Sequence, residues 1–320
     1  MKLLNAATVG TLIGMSSRQI ALVFPGQGSQ YVGMGKHIYE SSEAGREVFV
    51  RADQILGFPL TQLCFEGPDE ELQDTINAQP AILTVSIASL AALRERIQSL
   101  GKRLTPSYVA GHSLGEYTAL VAAEVMDFDD GLRLVRERGR LMKETGDQNP
   151  GGMAAIIGLE DEDVQAICEE ASELGVVGIA NSNSPGQIVV SGEIPALLQV
   201  MELAKQRGAR KVARLPISIA SHSPVMQRAA TQFAELVANL RLREPQVPVV
   251  ANITGTLLTN AEDIRREMAN HITGPVQWTK SVREMVGGGA NTFIELGPRK
   301  VLTGLIARIS PQVEVVSSES

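Results

Sequence analysis

Aromatic side chains are scarce in this 320-residue chain: one tryptophan, four tyrosines and seven phenylalanines make up 4% of it. That scarcity argues against a stacking surface for single-stranded nucleic acid. Basic charge is not in excess either. The 29 Lys and Arg residues face 36 Asp and Glu residues, and the net charge of −7 gives no general attraction to phosphate backbones or anionic membranes. Nucleic acid and membrane are therefore not expected partners, and any acidic partner has to be met by a local basic patch. There are only two cysteines, Cys64 and Cys168, far apart in sequence. They exclude a disulfide framework and a cysteine metal motif, and they point to a reducing compartment, the cytoplasm. No segment reads as long and apolar enough to span a membrane. Histidine is rare as well, with four residues, so any search for a general base can be exhaustive.

What is present suits a large globular core. Hydrophobic residues make up 44% and charged residues 20%, and the length fits one large domain or one domain carrying an insertion. Met1 to Met15 form a mildly apolar stretch after Lys2 with no convincing small-residue cleavage site. Residues 1–19 therefore read as an N-terminal extension rather than a signal peptide, with Met15 as an alternative start.

The most informative feature is Gly111-His112-Ser113-Leu114-Gly115, a G-x-S-x-G pattern. A serine hydroxyl needs a backbone that presents it and a base that takes its proton. Tyr108-Val109-Ala110 before the motif reads as a short strand, and Glu116 to Met126 after it reads as a helix. Ser113 then sits at a sharp strand-to-helix turn, with glycines where a Cβ would clash. The helix N-terminus would aim N–H groups at an oxyanion beside the serine. Without those flanks the same motif would be a glycine-rich turn with an ordinary N-cap serine.

Ile20 to Phe24 reads as a buried strand, followed by the glycine-rich loop Pro25-Gly26-Gln27-Gly28-Ser29-Gln30. Tyr31 stands where the dinucleotide fingerprint needs its third glycine, so this is not a Rossmann loop. Helices are expected at Ser42–Leu56, from about Pro80 to Leu100 with the proline in the first turn, and at Asp129–Lys143. From Gly151 the pattern changes. A strand at Met153–Ile157, a helix at Asp161–Glu173, strands at Val176–Asn181 and Gln187–Ser191, a helix at Ile194–Arg207 and a strand at Lys211–Leu215 give β-α-β-β-α-β. That order is ferredoxin-like. The expected organisation is α/β: a core of residues 20–150 and 216–320 with a parallel sheet, and an inserted subdomain at 151–215. A helix at Pro224–Leu240, a strand at Val247–Asn252, helices at Ala261–Ile272 and Val276–Val286, and a strand at Thr292–Leu296 complete the core.

Each histidine has a plain reading beside a catalytic one. His37 reads as a surface helix residue, and His112 leaves the elbow in another direction and packs. His271 reads as a helix-end histidine. His222, in Ala220-Ser221-His222-Ser223-Pro224, lies in a loop between a strand-like run and a helix, where catalytic histidines often sit. No acid stands in an obvious position to orient it: Asp127, Asp129 and Asp130 read as N-cap residues. A Ser113–His222 dyad, with the imidazole held by a backbone carbonyl, is the expected machinery.

These residues resemble a family. The loop Pro25 to Gln30, the elbow Gly111 to Glu116, Arg138-Gly139 and Ser221-His222 are similar to the malonyl-CoA:acyl-carrier-protein transacylases, acyltransferases of fatty acid synthesis with relatives in polyketide synthases. So are Asn183 to Gln187, Pro275 to Val282 and Gly297 to Leu305. The resemblance runs in order from about residue 20 to 310. It implies an α/β-hydrolase-like core with a ferredoxin-like insertion. It also implies that Ser113 is the nucleophile, His222 the base and acid, and the backbone N–H groups of Leu114 and Gln27 the oxyanion hole. In the same way it implies that the Gln277 main-chain carbonyl orients the histidine, that Gln79 lines the site and that Asn183 contacts substrate. Arg138 matches the arginine that takes the malonyl carboxylate. Guanidinium and carboxylate pair bidentately, and a neutral acyl group would leave a buried arginine unpaired. By itself Arg138 would read as part of a solvated helix face.

The implied reaction is a ping-pong transfer of malonyl from malonyl-CoA to the phosphopantetheine thiol of acyl carrier protein, with no metal or bound cofactor; the oligomeric state is open, with a monomer the plain expectation. A discrete polyketide acyltransferase, including one using methylmalonyl, and a serine thioester hydrolase stay open beside it. Ala220-Ser221 departs from the usual polyketide malonyl pattern, and Arg138 argues against a hydrolase for neutral acyl groups. Intact Ser113, His222 and Arg138 disfavour a catalytically dead carrier-binding module.

Overall fold

A computed structural model describes residues 18 to 319. The expected extension over residues 1–19 and the Met15 start lie almost wholly outside them. In chain order the strands are β1 (Ile20–Phe24), β2 (Tyr108–Gly111), β3 (Gly151–Ile157), β4 (Val177–Ser184), β5 (Gln187–Glu193), β6 (Lys211–Arg214), β7 (Val249–Val250), β8 (Leu257–Leu258), β9 (Thr292–Glu295) and β10 (Glu314–Ser317). They form two sheets. The first runs β10-β9-β1-β2-β7-β8, parallel except where β8 meets β7. The second runs β4-β5-β3-β6 and is antiparallel throughout. With helices Asp161–Ala171 and Ile194–Gln206 between its strands, the second sheet has the ferredoxin-like connection.

β1 is a continuous apolar run because a parallel strand is buried on both faces. Its side chains alternate. Leu22 and Phe24 enter one core with residues of helices Thr75–Gln98, Leu114–Ala122, Phe128–Gln148 and Gln227–Ala238. Ala21 and Val23 enter the other, with Trp278 and Val282 of helix Trp278–Gly287 and Leu305 of helix Val301–Ile309. The second sheet divides similarly. Ala154, Ile156, Ile188 and Val190 pack on its own helices, whereas Met153 and Val189 turn the opposite way, with Leu215 and Ile217.

β1 and β2 are neighbours, so the loops at their carboxyl ends meet, as ligand-binding loops do in parallel sheets. The His112 N–H donates to the Phe24 carbonyl at 3.0 Å, joining the elbow to the glycine-rich loop.

Several elements differ from the expected ones for identifiable reasons. The helix expected from Pro80 begins at Thr75, where the Asp74 side chain accepts from the Ile76 N–H at 3.0 Å. Pro80 is therefore inside the helix. That helix is long and apolar enough to cross a membrane by length and composition, contrary to the reading that no segment is. However, 78% of its most apolar stretch is buried inside the fold. The helix expected from Val276 starts at Trp278, because Val276 forms a parallel bridge with Asn181 of β4. The strand expected over 247–252 shrinks to Val249–Val250, because the Asn252 N–H leaves the ladder for the Glu116 carboxyl. His37 lies in the short helix Lys36–Ser41, in keeping with its reading as a helix residue, whereas the helices Leu60–Glu66, Asp69–Gln73 and Val301–Ile309 and strands β8 and β10 were not foreseen.

Candidate active site

The elbow forms because three glycines let the backbones touch. A Cβ on Gly111 would lie 1.8 Å from the Gly115 carbonyl carbon, one on Gly115 2.1 Å from the Phe24 carbonyl oxygen, and one on Gly26 2.3 Å from the His112 carbonyl oxygen. Ser113 takes φ 51° and ψ −113° between β2 and helix Leu114–Ala122. A non-glycine residue at positive φ is held there by its surroundings.

The holder is Asn252, which the sequence reading did not single out. Its Oδ1 accepts from the Ser113 N–H at 2.7 Å and its Nδ2 donates to the Gly111 carbonyl at 2.7 Å. Its own N–H donates to Glu116 Oε2 at 2.8 Å. The available signal was a polar residue ending the apolar run Val249-Val250-Ala251, at the carboxyl edge of a parallel sheet.

Ser113 Oγ and His222 Nε2 are 2.8 Å apart. On the far side of the ring, His222 Nδ1 is 2.8 Å from the Gly274 carbonyl. A carbonyl only accepts, so Nδ1 carries the proton and Nε2 is free to accept from the serine. The expected dyad held by a backbone carbonyl is thus assembled, but the carbonyl is Gly274's and not Gln277's. The Gln277 carbonyl is spent on the Ser281 N–H at 2.9 Å, in the first turn of helix Trp278–Gly287. Burial, and then the charge of Arg138, pull the His222 pKa from 6.5 to about 3, so the resting imidazole is neutral.

Arg138 is 1% exposed. It comes from helix Phe128–Gln148, which approaches helix Thr75–Gln98 closely because its next residue is Gly139, where a Cβ would meet the Thr75 carbonyl at 2.5 Å. Nη1 donates to Gln79 Oε1 at 2.9 Å, and Nη2 lies 3.5 Å from Ser113 Oγ and 3.4 Å from His271 Nδ1. The guanidinium sits 5.4 Å from the centre of the Tyr117 ring. Among the described residues no carboxylate forms an ion pair with Arg138, and its Nε has no partner. A buried guanidinium is costly unless paired, so this arrangement is built for an anion that arrives.

Gln79 does not line the cavity, contrary to expectation. It is fully buried behind Arg138, with its Nε2 donating to Thr75 Oγ1 at 2.9 Å. Asn183 does line it, and its Oδ1 lies 2.7 Å from His112 Nε2. His112 packs edge-on to Trp278, ring centres 5.7 Å apart, as expected for a packing residue. His271 ends helix Ala261–Asn270 as read, yet it is also part of the site, beside Arg138. Leu114 opens its helix, where backbone N–H groups lack partners one turn back. Gln27 lies in the facing loop and lines the same cavity. No group of three or more His, Cys, Asp or Glu residues among the described ones could hold a metal ion.

The cavity, about 290 Å³, has two unlike walls. Gln27, Ser113, Arg138 and His222 make the polar one, and Met153, Val189, Leu215 and Ile217 make an apolar one. The arrangement can acylate a serine, hold a negative group beside it and admit a narrow arm along an apolar wall.

The Acyl transferase domain family matches residues 21–319. A malonyl CoA-acyl carrier protein transacylase of Escherichia coli is 45% identical over 291 residues, covering 91% of this chain and 93% of the relative. Among solved structures, an acyl carrier protein S-malonyltransferase from Vibrio cholerae superposes with a TM-score of 0.89 at 40% identity, covering 93% of this chain and 96% of that one. A type II PKS acyl-carrier protein in complex with its malonyl-transacylase also matches, with a TM-score of 0.87 at 37% identity, covering 93% and 94%.

Proposed function

Since the chain belongs to the Acyl transferase domain family, we propose that it transfers the malonyl group from malonyl-CoA to the phosphopantetheine thiol of acyl carrier protein, in fatty acid synthesis. The observation that carries the reading is Arg138, a buried cation with no carboxylate in ion-pair contact, 3.5 Å from the hydroxyl of a serine already paired with a neutral imidazole.

Ser113 Oγ attacks the thioester carbon while its proton passes to His222 Nε2. The oxyanion forms between the Leu114 and Gln27 N–H groups; losing one such donor typically costs ~10²–10³ in rate. The intermediate collapses, the C–S bond breaks, and the CoA sulfur takes the proton from His222 Nε2 and leaves as the thiol, which frees Nε2 again. The malonyl ester of Ser113 then keeps its carboxylate on Arg138. The carrier thiol gives its proton to Nε2 and attacks the ester carbon, and the proton returns to Ser113 Oγ as the C–O bond breaks. The balance closes with no cofactor. The oxyanion role is supported by Leu114 opening the helix directly after Ser113 and by Gln27 lining the same cavity. Asn183 steadies the cavity through His112, and Gln79 acts through Arg138.

The insertion at 151–215 supplies Met153, Val189 and Leu215 of the apolar wall along which the pantetheine arm lies. The two free, buried cysteines support a reducing, cytoplasmic setting. The likeness to the PKS transacylase favours a second reading, in which the acceptor is a polyketide carrier and the donor chemistry is unchanged.

Intact mass after incubation with malonyl-CoA, methylmalonyl-CoA or acetyl-CoA, followed by a phosphopantetheinylated carrier, tests both. A malonyl adduct on Ser113 that moves to a fatty acid carrier is the expected result. Movement only to a polyketide carrier selects the second reading. Loss to water shows a hydrolase, and no adduct from any donor removes the acyl-serine mechanism.

A further inference from the structure

Behind Arg138 lies a buried cluster that the transfer chemistry does not use. His271, 1% exposed, caps helix Ala261–Asn270 and packs edge-on to Tyr117 and His222, ring centres 5.2 and 5.6 Å away. Its Nδ1 is 3.4 Å from Arg138 Nη2. A guanidinium only donates, so Nδ1 is the acceptor and the ring proton is on Nε2. That Nε2 has no hydrogen-bond partner and faces Glu116 Oε2 at 3.7 Å. The same Oε2 accepts from the Asn252 N–H at 2.8 Å, and Asn252 holds the Ser113 N–H.

Two anchors therefore fix the guanidinium. Gln79 holds Nη1, and His271 holds Nη2 on the side nearest Ser113. With only the first, the head of a long side chain could pivot about Nη1. A misplacement of about 1 Å at a positioning group can cost ~10²-fold. The second anchor also has to be neutral, since a cation there would repel Arg138. Burial and the Arg138 charge hold the His271 pKa well below the ordinary histidine range.

We propose that His271 is a positioning residue that sets selectivity for acyl groups ending in a carboxylate, by holding Arg138 Nη2 beside the ester that forms on Ser113. The proposal rests on the reading of Arg138 as the carboxylate site.

The test compares kcat/KM for malonyl-CoA and acetyl-CoA in the full chain and in His271→Gln and His271→Met. The two replacements have nearly the same shape, but only glutamine offers Nη2 a strong acceptor. The Gln variant should keep the malonyl-to-acetyl ratio within about threefold of the parent. The Met variant should lower it at least about tenfold, mainly through KM for malonyl-CoA. His271→Leu repeats the loss with a different shape should the Met variant not fold. Equal falls for both donors, an unchanged ratio, or Gln and Met behaving alike would overturn the proposal. A parent enzyme with no preference for malonyl would instead sink the carboxylate-site reading, and with it this one, before any variant is made.

Discussion

The two walls of the cleft come from different sheets and are held in different ways. On the parallel-sheet side every reactive group is pinned by directional bonds: Ser113 through Asn252, His222 through Gly274, Arg138 through Gln79 and His271. On the antiparallel side Met153, Val189, Leu215 and Ile217 present hydrocarbon, packed but not hydrogen-bonded through their side chains. A reacting atom has to be placed within a fraction of an ångström, whereas an arm sliding along a wall needs only to be kept dry. The polar wall should therefore discriminate between acyl groups, and the apolar wall should treat all CoA thioesters alike.

That asymmetry can be broken or sharpened by four experiments. The largest effect belongs to Ser113→Ala, which should lower transfer by about 10⁴-fold or more and abolish the acyl adduct by intact mass. Arg138→Ala should come next. Charge-assisted hydrogen bonds are worth about 1.5–3 kcal/mol, so kcat/KM for malonyl-CoA should fall about 10²-fold with little loss for acetyl-CoA. The same variant carries a pH consequence. A base whose pKa is depressed stays unprotonated to lower pH, so the parent's kcat/KM for acetyl-CoA should stay flat down to the acid stability limit of the protein. His222 is lowered partly by the Arg138 charge. Without that charge its pKa rises toward 6.5, and the acid limb of the pH profile should move up.

Asn252→Ala should have a smaller effect on rate, and one that is blind to the donor. It strands a buried carbonyl and a buried N–H at the elbow, which should cost about 2–4 kcal/mol in a denaturant titration. Malonyl and acetyl transfer should decline by the same factor. Leu215→Ala, on the hydrocarbon side, should be mildest. Removing its methylenes, at about 0.8 kcal/mol each when buried, should raise KM about three- to tenfold for both donors and leave their ratio unchanged. A change in that ratio would show the apolar wall sensing the acyl group after all.

The sequence was most legible where backbone constraint writes itself into residue type. Gly111, Gly115 and Gly26 announce close approach, and the βαββαβ order of strands and helices announces the second sheet. Ser113 and His222 follow from a motif and from a count of four histidines. The rest depends on which buried groups happen to meet. His271 has the local signature of a helix end and is one, and nothing in its neighbours reveals that the ring touches Arg138. Asn252 looked like the last residue of a strand. Gly274 and Gln277 are three residues apart, and only the geometry of the turn before helix Trp278–Gly287 decides which carbonyl faces the imidazole. Pro80 suggested a helix start because a proline is easiest to place there, but Asp74 had already capped the helix earlier.

The second sheet is also stitched to the turn and first residues of helix Trp278–Gly287. Val276 donates to the Ala180 carbonyl at 2.8 Å and accepts from the Ser182 N–H at 2.9 Å, and Thr279 Oγ1 donates to the Ser182 carbonyl at 3.2 Å. This seam runs two residues from Gly274, whose carbonyl fixes His222, and one residue from Asn183, which meets His112. An enzyme that closes over its substrate needs a pliable joint between its lobes, and here the joint is occupied by hydrogen bonding beside the proposed base, His222. That bonding would hold the cleft at a set width. On the proposed mechanism two bulky partners, a CoA donor and a carrier-protein acceptor, would visit in turn with only a slender arm of each entering the slot beside Ser113.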